Sequence, residues 1–110
     1  MQAKGKHLII NLKTKINYNN EELKHIMIDA CKLTHATICD VSEKQFEPQG
    51  YTIAILLSES HASLHSYPEC NSIFIDCFTC GNLSPKSFKN YIIKMFRPYK
   101  IKSDIIVRKC

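Results

Sequence analysis

A carboxylate (Glu59), a hydroxyl (Ser60) and two imidazoles (His61, His65) follow the apolar run Thr52–Leu57 in the stretch "LLSESHASLHSYPEC", Leu56–Cys70. Six residues further on, "DCFTCG", Asp76–Gly81, adds two thiols. Three chemistries suit these residue types. His61, His65, Cys77 and Cys80 form H-x3-H and C-x2-C, four competent zinc ligands. Residues 60–67, however, alternate as a strand does, and on a strand residues 61 and 65 lie about 13 Å apart, too far for one ion without a bend. Cys77-Phe78-Thr79-Cys80 has the spacing of a redox pair, but such pairs favour a helix start, where the dipole lowers the thiol pKa, and this one closes a strand. The third chemistry is self-directed. A serine after a carboxylate at a strained strand end can attack the preceding carbonyl, and the resulting ester can eliminate, cutting the chain and leaving a pyruvoyl group at the new terminus. That needs a base for the serine's α-proton, a task that suits histidine, and donors for the oxyanion, a task that suits nearby hydroxyls.

The elements that position these groups are legible from periodicity. "KHLIINLK", Lys6–Lys13, has the short apolar run of a strand. Asn19 or Asn20 caps a helix with Glu21 and Glu22 in its first turn, and Leu23, Ile26, Met27, Ala30 and Cys31 give it one apolar face. "ATICDV", Ala36–Val41, reads as a strand, and Pro48 and Gly50 mark a turn. Strands are also expected over Tyr51–Ser58, Ser63–Tyr67, Ser72–Phe78 and Lys102–Arg108. Between the last two, Ser84 caps and Pro85 starts a second helix with Phe88, Tyr91, Ile92, Met95 and Phe96 at helical spacing, stopped by Pro98. The order β-α-β-β-β-β-α-β predicts an α+β fold, a two-layer sandwich with two helices on one face of a mostly antiparallel sheet.

At 110 residues the chain has room for one core, hence a single domain over 1–110. No apolar stretch reaches the roughly 18 residues of a membrane helix, and the basic amphipathic N-terminus has no leader-like apolar core, so a cytoplasmic protein is expected. Six cysteines in a reducing compartment read as core fillers or reactants rather than disulfides. The net charge of +5 comes from scattered lysines, which reads as a solvated surface with no nucleic-acid partner.

"SESHASLHSYPE" followed by "IDCFTCG" resembles the small prokaryotic-type S-adenosylmethionine decarboxylases, pyruvoyl enzymes of polyamine synthesis that cut themselves at a Glu-Ser bond. The resemblance runs from "GKHLI", Gly5–Ile9, through "FEPQGYT", Phe46–Thr52, to the helix after Cys80. It implies cleavage between Glu59 and Ser60 into a β chain, 1–59, and an α chain, 60–110, with Ser60 becoming a covalent pyruvoyl group and no metal. It implies His65 as processing base, Thr52 as the hydroxyl that supports processing, and Cys80 as the thiol that returns a proton to substrate. Phe46, Tyr67 and Glu69 match adenosine-binding positions, and a homodimer of αβ protomers with sites at or near its interface is implied. His61 belongs to the motif without a role, and Cys77 reads as a core thiol. The pyruvoyl carbonyl would form a Schiff base with the substrate amine and accept the electrons left by departing carbon dioxide, the task of pyridoxal phosphate elsewhere.

The chain departs from the family pattern at Ile53, where glycine is usual, and over Cys70–Phe74, where residues are bulkier. Ornithine or arginine therefore stands as an alternative substrate of the same chemistry. An inactive relative that binds a partner subunit is a second alternative.

Overall fold

The computed structural model describes residues 4–110. Eight main elements follow one another: β1 Lys4–Lys13, α1 Asn20–Lys32, β2 Ile38–Gln45, β3 Tyr51–Leu57, β4 Ser60–Tyr67, β5 Ser72–Cys80, α2 Lys86–Phe96 and β6 Lys100–Lys109. A single 3-10 turn, Pro68–Cys70, joins β4 to β5.

Helix α1 begins where the sequence places it. Asn19 Oδ1 accepts from the Glu22 amide at 2.8 Å and Glu22 Oε1 accepts from the Asn19 amide at 2.9 Å, a reciprocal capping box. The five apolar residues of its expected face are all buried. Helix α2 starts one residue later than expected. Pro85 takes the N-cap position rather than the first helical one, and Ser84 Oγ accepts from the Lys86 amide at 3.3 Å. Its C-terminal cap is Arg97 in a left-handed conformation, immediately before Pro98, which cannot continue a helix.

The six strands form one sheet in the order β2-β3-β4-β5-β1-β6, and every neighbouring pair is antiparallel. Several strand bounds differ from the apolar pattern by one to four residues, and the larger shifts have physical reasons. β2 runs over polar residues to Gln45 because an edge strand is held by backbone bonds to β3 rather than by burial. β4 begins at Ser60 rather than Ser63 because Ser58 and Glu59 alone make the turn, so that Leu57 already pairs with Ser60. β5 continues to Cys80 because Gly5 of β1 still pairs with it there.

Alternation sorts the sheet into two faces. Leu8, Ile10 and Leu12 of β1, Ile53, Ile55 and Leu57 of β3, Leu64 of β4 and Ile75 of β5 point to the helices and share one buried cluster with Met27, Phe88, Ile92 and Phe96. Phe88 is fully buried, so Phe88→Ala should lose about 3–5 kcal/mol of unfolding free energy, read as a lower urea midpoint at unchanged slope. The opposite face carries no helix among the described residues. It exposes Ile9, Leu56, Tyr67, Phe74 and Ile106, with Leu56 at 56% and Phe74 at 43% of full exposure. No helix among the described residues is long and apolar enough to cross a membrane.

Candidate active site

The β3–β4 hairpin determines the first part of the site. A two-residue loop requires positive φ somewhere, and with no glycine available Glu59 takes it, at 59°. For a residue with a side chain, that conformation costs of order 1–3 kcal/mol. The strain thus lies on the residue whose carbonyl begins the Glu59–Ser60 peptide. Ser60 itself is buried, and its Oγ accepts from the Cys80 amide at 3.2 Å. Cys80 Sγ donates to Glu59 Oε2 at 3.4 Å. A groove of about 870 Å³ opens around Ser60 and Cys80, walled by Leu57, Glu59, His61 and Phe78 among others.

Partial desolvation, the hydrogen bond to Glu59 and the Glu59 charge push the Cys80 thiol above its ordinary pKa, against a smaller opposite pull from Ser60. A raised value keeps the sulfur protonated at neutral pH, as a proton donor must be. Glu59→Gln removes the charge that disfavours the thiolate, so alkylation of Cys80 should speed up at mildly alkaline pH. The check is a rate measurement on the Cys80 peptide by mass spectrometry, in chains kept uncut by Ser60→Ala in both arms; an unchanged rate would detach Glu59 from the thiol.

The second part lies at the other end of the hairpin. Thr52 and His65 are register partners, and Thr52 Oγ1 and His65 Nδ1 share a hydrogen bond at 3.0 Å. Tyr67 packs on Phe74, ring centroids 5.1 Å apart. Glu69 sits in the 3-10 turn, and Phe46 follows β2 under Lys44, whose ammonium is 5.8 Å from the ring centroid. The eight sequence-derived site residues therefore separate into two groups. Glu59, Ser60 and Cys80 are at one end of β4; Phe46, Thr52, His65, Tyr67 and Glu69 are at the other. His65 is five residues from Ser60 on one strand, which is about 16 Å along the strand and on the opposite face. Within one chain it does not reach the Ser60 hydroxyl.

Between the two groups, on the bare face, lies a cluster that sequence reasoning missed. Asp76 Oδ2 contacts His7 Nε2 at 2.7 Å and His61 Nε2 at 3.4 Å, and Oδ1 accepts from Ser63 Oγ. Burial pushes the Asp76 carboxyl up, but the bonds from Ser63 and His7 and the charges of His61 and His7 outweigh it and hold the carboxyl below its ordinary range. The signal was an acid alternating with Phe74 and Phe78 in an otherwise apolar strand. Its partner on β1 is 69 residues away, beyond what local spacing reveals. His7, His61 and Asp76 are also the described residues whose donor atoms could hold an ion, all within 4.8 Å of one another. The zinc set weighed from sequence does not converge: Cys77 points into the core, where burial drives its thiol pKa far up, while His61 and His65 face the other way. Cys77 is a core thiol, as the family resemblance implied.

Known proteins resemble this chain over nearly its whole length. A family model described as S-adenosylmethionine decarboxylase matches residues 6–109. An S-adenosylmethionine decarboxylase proenzyme of Bacillus cereus (strain ZK / E33L) is 37% identical, over 94% of this chain and 88% of its own length. One from Brevibacillus brevis is also 37% identical, over 94% of this chain and 81% of its own. Among solved structures, the adenosylmethionine decarboxylase from Aquifex aeolicus superposes with a TM-score of 0.83 at 29% identity, covering 93% of this chain and 88% of that one.

Proposed function

The chain belongs to the S-adenosylmethionine decarboxylase family, and from that premise we propose that it is made as a proenzyme, cuts itself between Glu59 and Ser60, and then removes carbon dioxide from S-adenosylmethionine. The observation that carries the cleavage is the strained Glu59 at the hairpin tip, directly before a buried serine whose Oγ is held by the Cys80 amide. Ser60 Oγ attacks the Glu59 carbonyl carbon, the C–N bond breaks, and the chain is joined through an ester. Loss of the Ser60 α-proton to a base then breaks the ester C–O bond, freeing the Glu59 carboxylate. Water adds to the resulting unsaturated residue, and ammonia leaves. The pyruvoyl group formed this way supplies a carbonyl that accepts the electron pair left when carbon dioxide departs. Cys80, protonated beside Glu59, returns a proton to the substrate carbon.

The separation of the two residue groups bears on assembly. Two copies packed bare face to bare face about a two-fold axis that reverses strand direction would set the Ser60 end of one chain against the His65 end of its partner, twice. Exposed Ile9, Leu56, Phe74 and Ile106 are the apolar surface such packing would cover. In that arrangement His65, with Thr52 bonded to its ring, serves the partner's Ser60. Phe46, Tyr67 and Glu69 then offer aromatic faces and a carboxylate to the adenosine bound at the partner's terminus, and an aromatic face favours the sulfonium by roughly 0.5–2 kcal/mol.

The test of cleavage is the denatured intact mass of the purified protein. Two fragments, 1–59 and 60–110, the second opening with a pyruvoyl mass, are expected, together with carbon dioxide release from S-adenosylmethionine. A single uncut mass after prolonged incubation would overturn the reading.

A further inference from the structure

The groove around Ser60 and Cys80 has a third wall that the reaction as described leaves unused. Its far side is Arg108 of β6, with Lys4 and Lys109 nearby. Arg108 is laid over the Phe78 ring, its guanidinium carbon 5.4 Å from the ring centroid. Phe78 can lie there because Gly5, the register partner of both Arg108 and Cys80, has no side chain; a Cβ at that position would collide with the ring. Arg108 makes no ion pair with an acidic side chain among the described residues, and the acidic side chain in the groove, Glu59, is engaged with the Cys80 thiol.

On the decarboxylase reading given above, one substrate group still lacks a partner. The substrate's amine is engaged at residue 60 and its adenosine at the aromatic group of the other chain, which leaves the α-carboxylate, the group to be lost. We propose that Arg108, laid over Phe78 beside Ser60 and Cys80, holds that carboxylate. A guanidinium offers two parallel donors matched to a carboxylate, and stacking on a ring restricts it to a narrow set of orientations. Lys4 and Lys109, flexible and strongly hydrated, would add charge without fixing an angle.

The sign of the kinetic effect follows. Carboxylate charge is present in bound substrate and only partly drained in the transition state, so contact with Arg108 stabilises the two to a similar degree. Its loss therefore appears mainly in KM rather than kcat. The product lacks the carboxylate and owes Arg108 nothing, which helps it leave.

The experiment compares processed wild-type, Arg108→Gln and Arg108→Lys enzymes. It reads kcat and KM for S-adenosylmethionine and, by calorimetry, Kd for the decarboxylated product. Arg108→Gln should raise KM about ten- to a hundredfold, change kcat much less, and leave product Kd within about twofold, with Arg108→Lys recovering part of the loss. In a wild type that is cut and active, an unchanged KM in Arg108→Gln, or KM and product Kd weakening together, overturns the subsite alone. A wild type that is cut yet releases no carbon dioxide from S-adenosylmethionine overturns the substrate reading, and the carboxylate assignment falls with it.

Discussion

Ser60→Ala is expected to give one uncut chain and no carbon dioxide release above background. The substitution deletes the oxygen that must attack the Glu59 carbonyl, and no neighbouring hydroxyl can replace it. Ser58 lies two residues back and its Oγ already accepts from the Thr37 amide at 3.3 Å. Without the cut there is no carbonyl to accept the electron pair, so turnover should fall by at least about a millionfold, the scale of a whole enzymatic rate enhancement. Folding should survive. The lost interaction is one hydrogen bond from the Cys80 amide, about 1 kcal/mol. Intact mass, carbon dioxide release and a thermal melt make the check, and decarboxylation by a folded, uncut Ser60→Ala chain would remove the mechanism.

His65→Ala should by itself slow cleavage by roughly 10²–10⁴-fold, the usual worth of a positioned acid–base group. The larger consequence is complementation. Mixed with Ser60→Ala chains, His65→Ala chains retain the serine and borrow the imidazole, so they should be cut at close to the wild-type rate in mixed dimers. One of the two sites in each mixed dimer would then work. Co-expression with distinguishable tags, followed by intact mass of each chain, reads this directly. If His65→Ala chains remain uncut in mixed dimers, His65 does not act across an interface, and the face-to-face assembly loses its main support.

Much of the fold was legible because burial obeys period. The apolar face of α1 and the aromatic stripe of α2 are where spacing put them, and of the two asparagines offered as a cap, Asn19 is the one used. The strand starts were less legible. β2 persists through Ser42–Gln45 on backbone pairing with β3 and on the bonds of Glu43 to Lys24 and Tyr51 rather than on burial, and the start of β4 depends on a two-residue turn that no glycine or asparagine announces. The motif around Ser60 and Cys80 pointed to the family because self-cleavage demands specific residue types in order, and the relatives this chain matches carry the S-adenosylmethionine decarboxylase name, with none of those reported above favouring ornithine or arginine. What sequence could not convey is distance. It placed His65 and Ser60 in one motif, whereas strand geometry puts them on opposite faces at opposite ends. It also left His7, Ser63 and Asp76 unremarked, since their meeting depends on β1 inserting between β5 and β6.

That insertion has a consequence for the protein's life history. The proposed cut after Glu59 would assign β1, β2, β3 and α1 to one fragment and β4, β5, β6 and α2 to the other. In the sheet, however, β1 is hydrogen-bonded on both sides to strands of the other fragment, and β3 is zipped to β4. The two pieces are interleaved like the fingers of clasped hands, so the nick leaves the native assembly in one body. Once unfolded, though, the nicked protein must find its other half by diffusion. Its recovery becomes dependent on concentration, where that of the uncut chain is not. Maturation by the proposed cut would thus be a ratchet: the chain would assemble once as a single thread, and afterwards hold a shape that dilute fragments cannot readily regain.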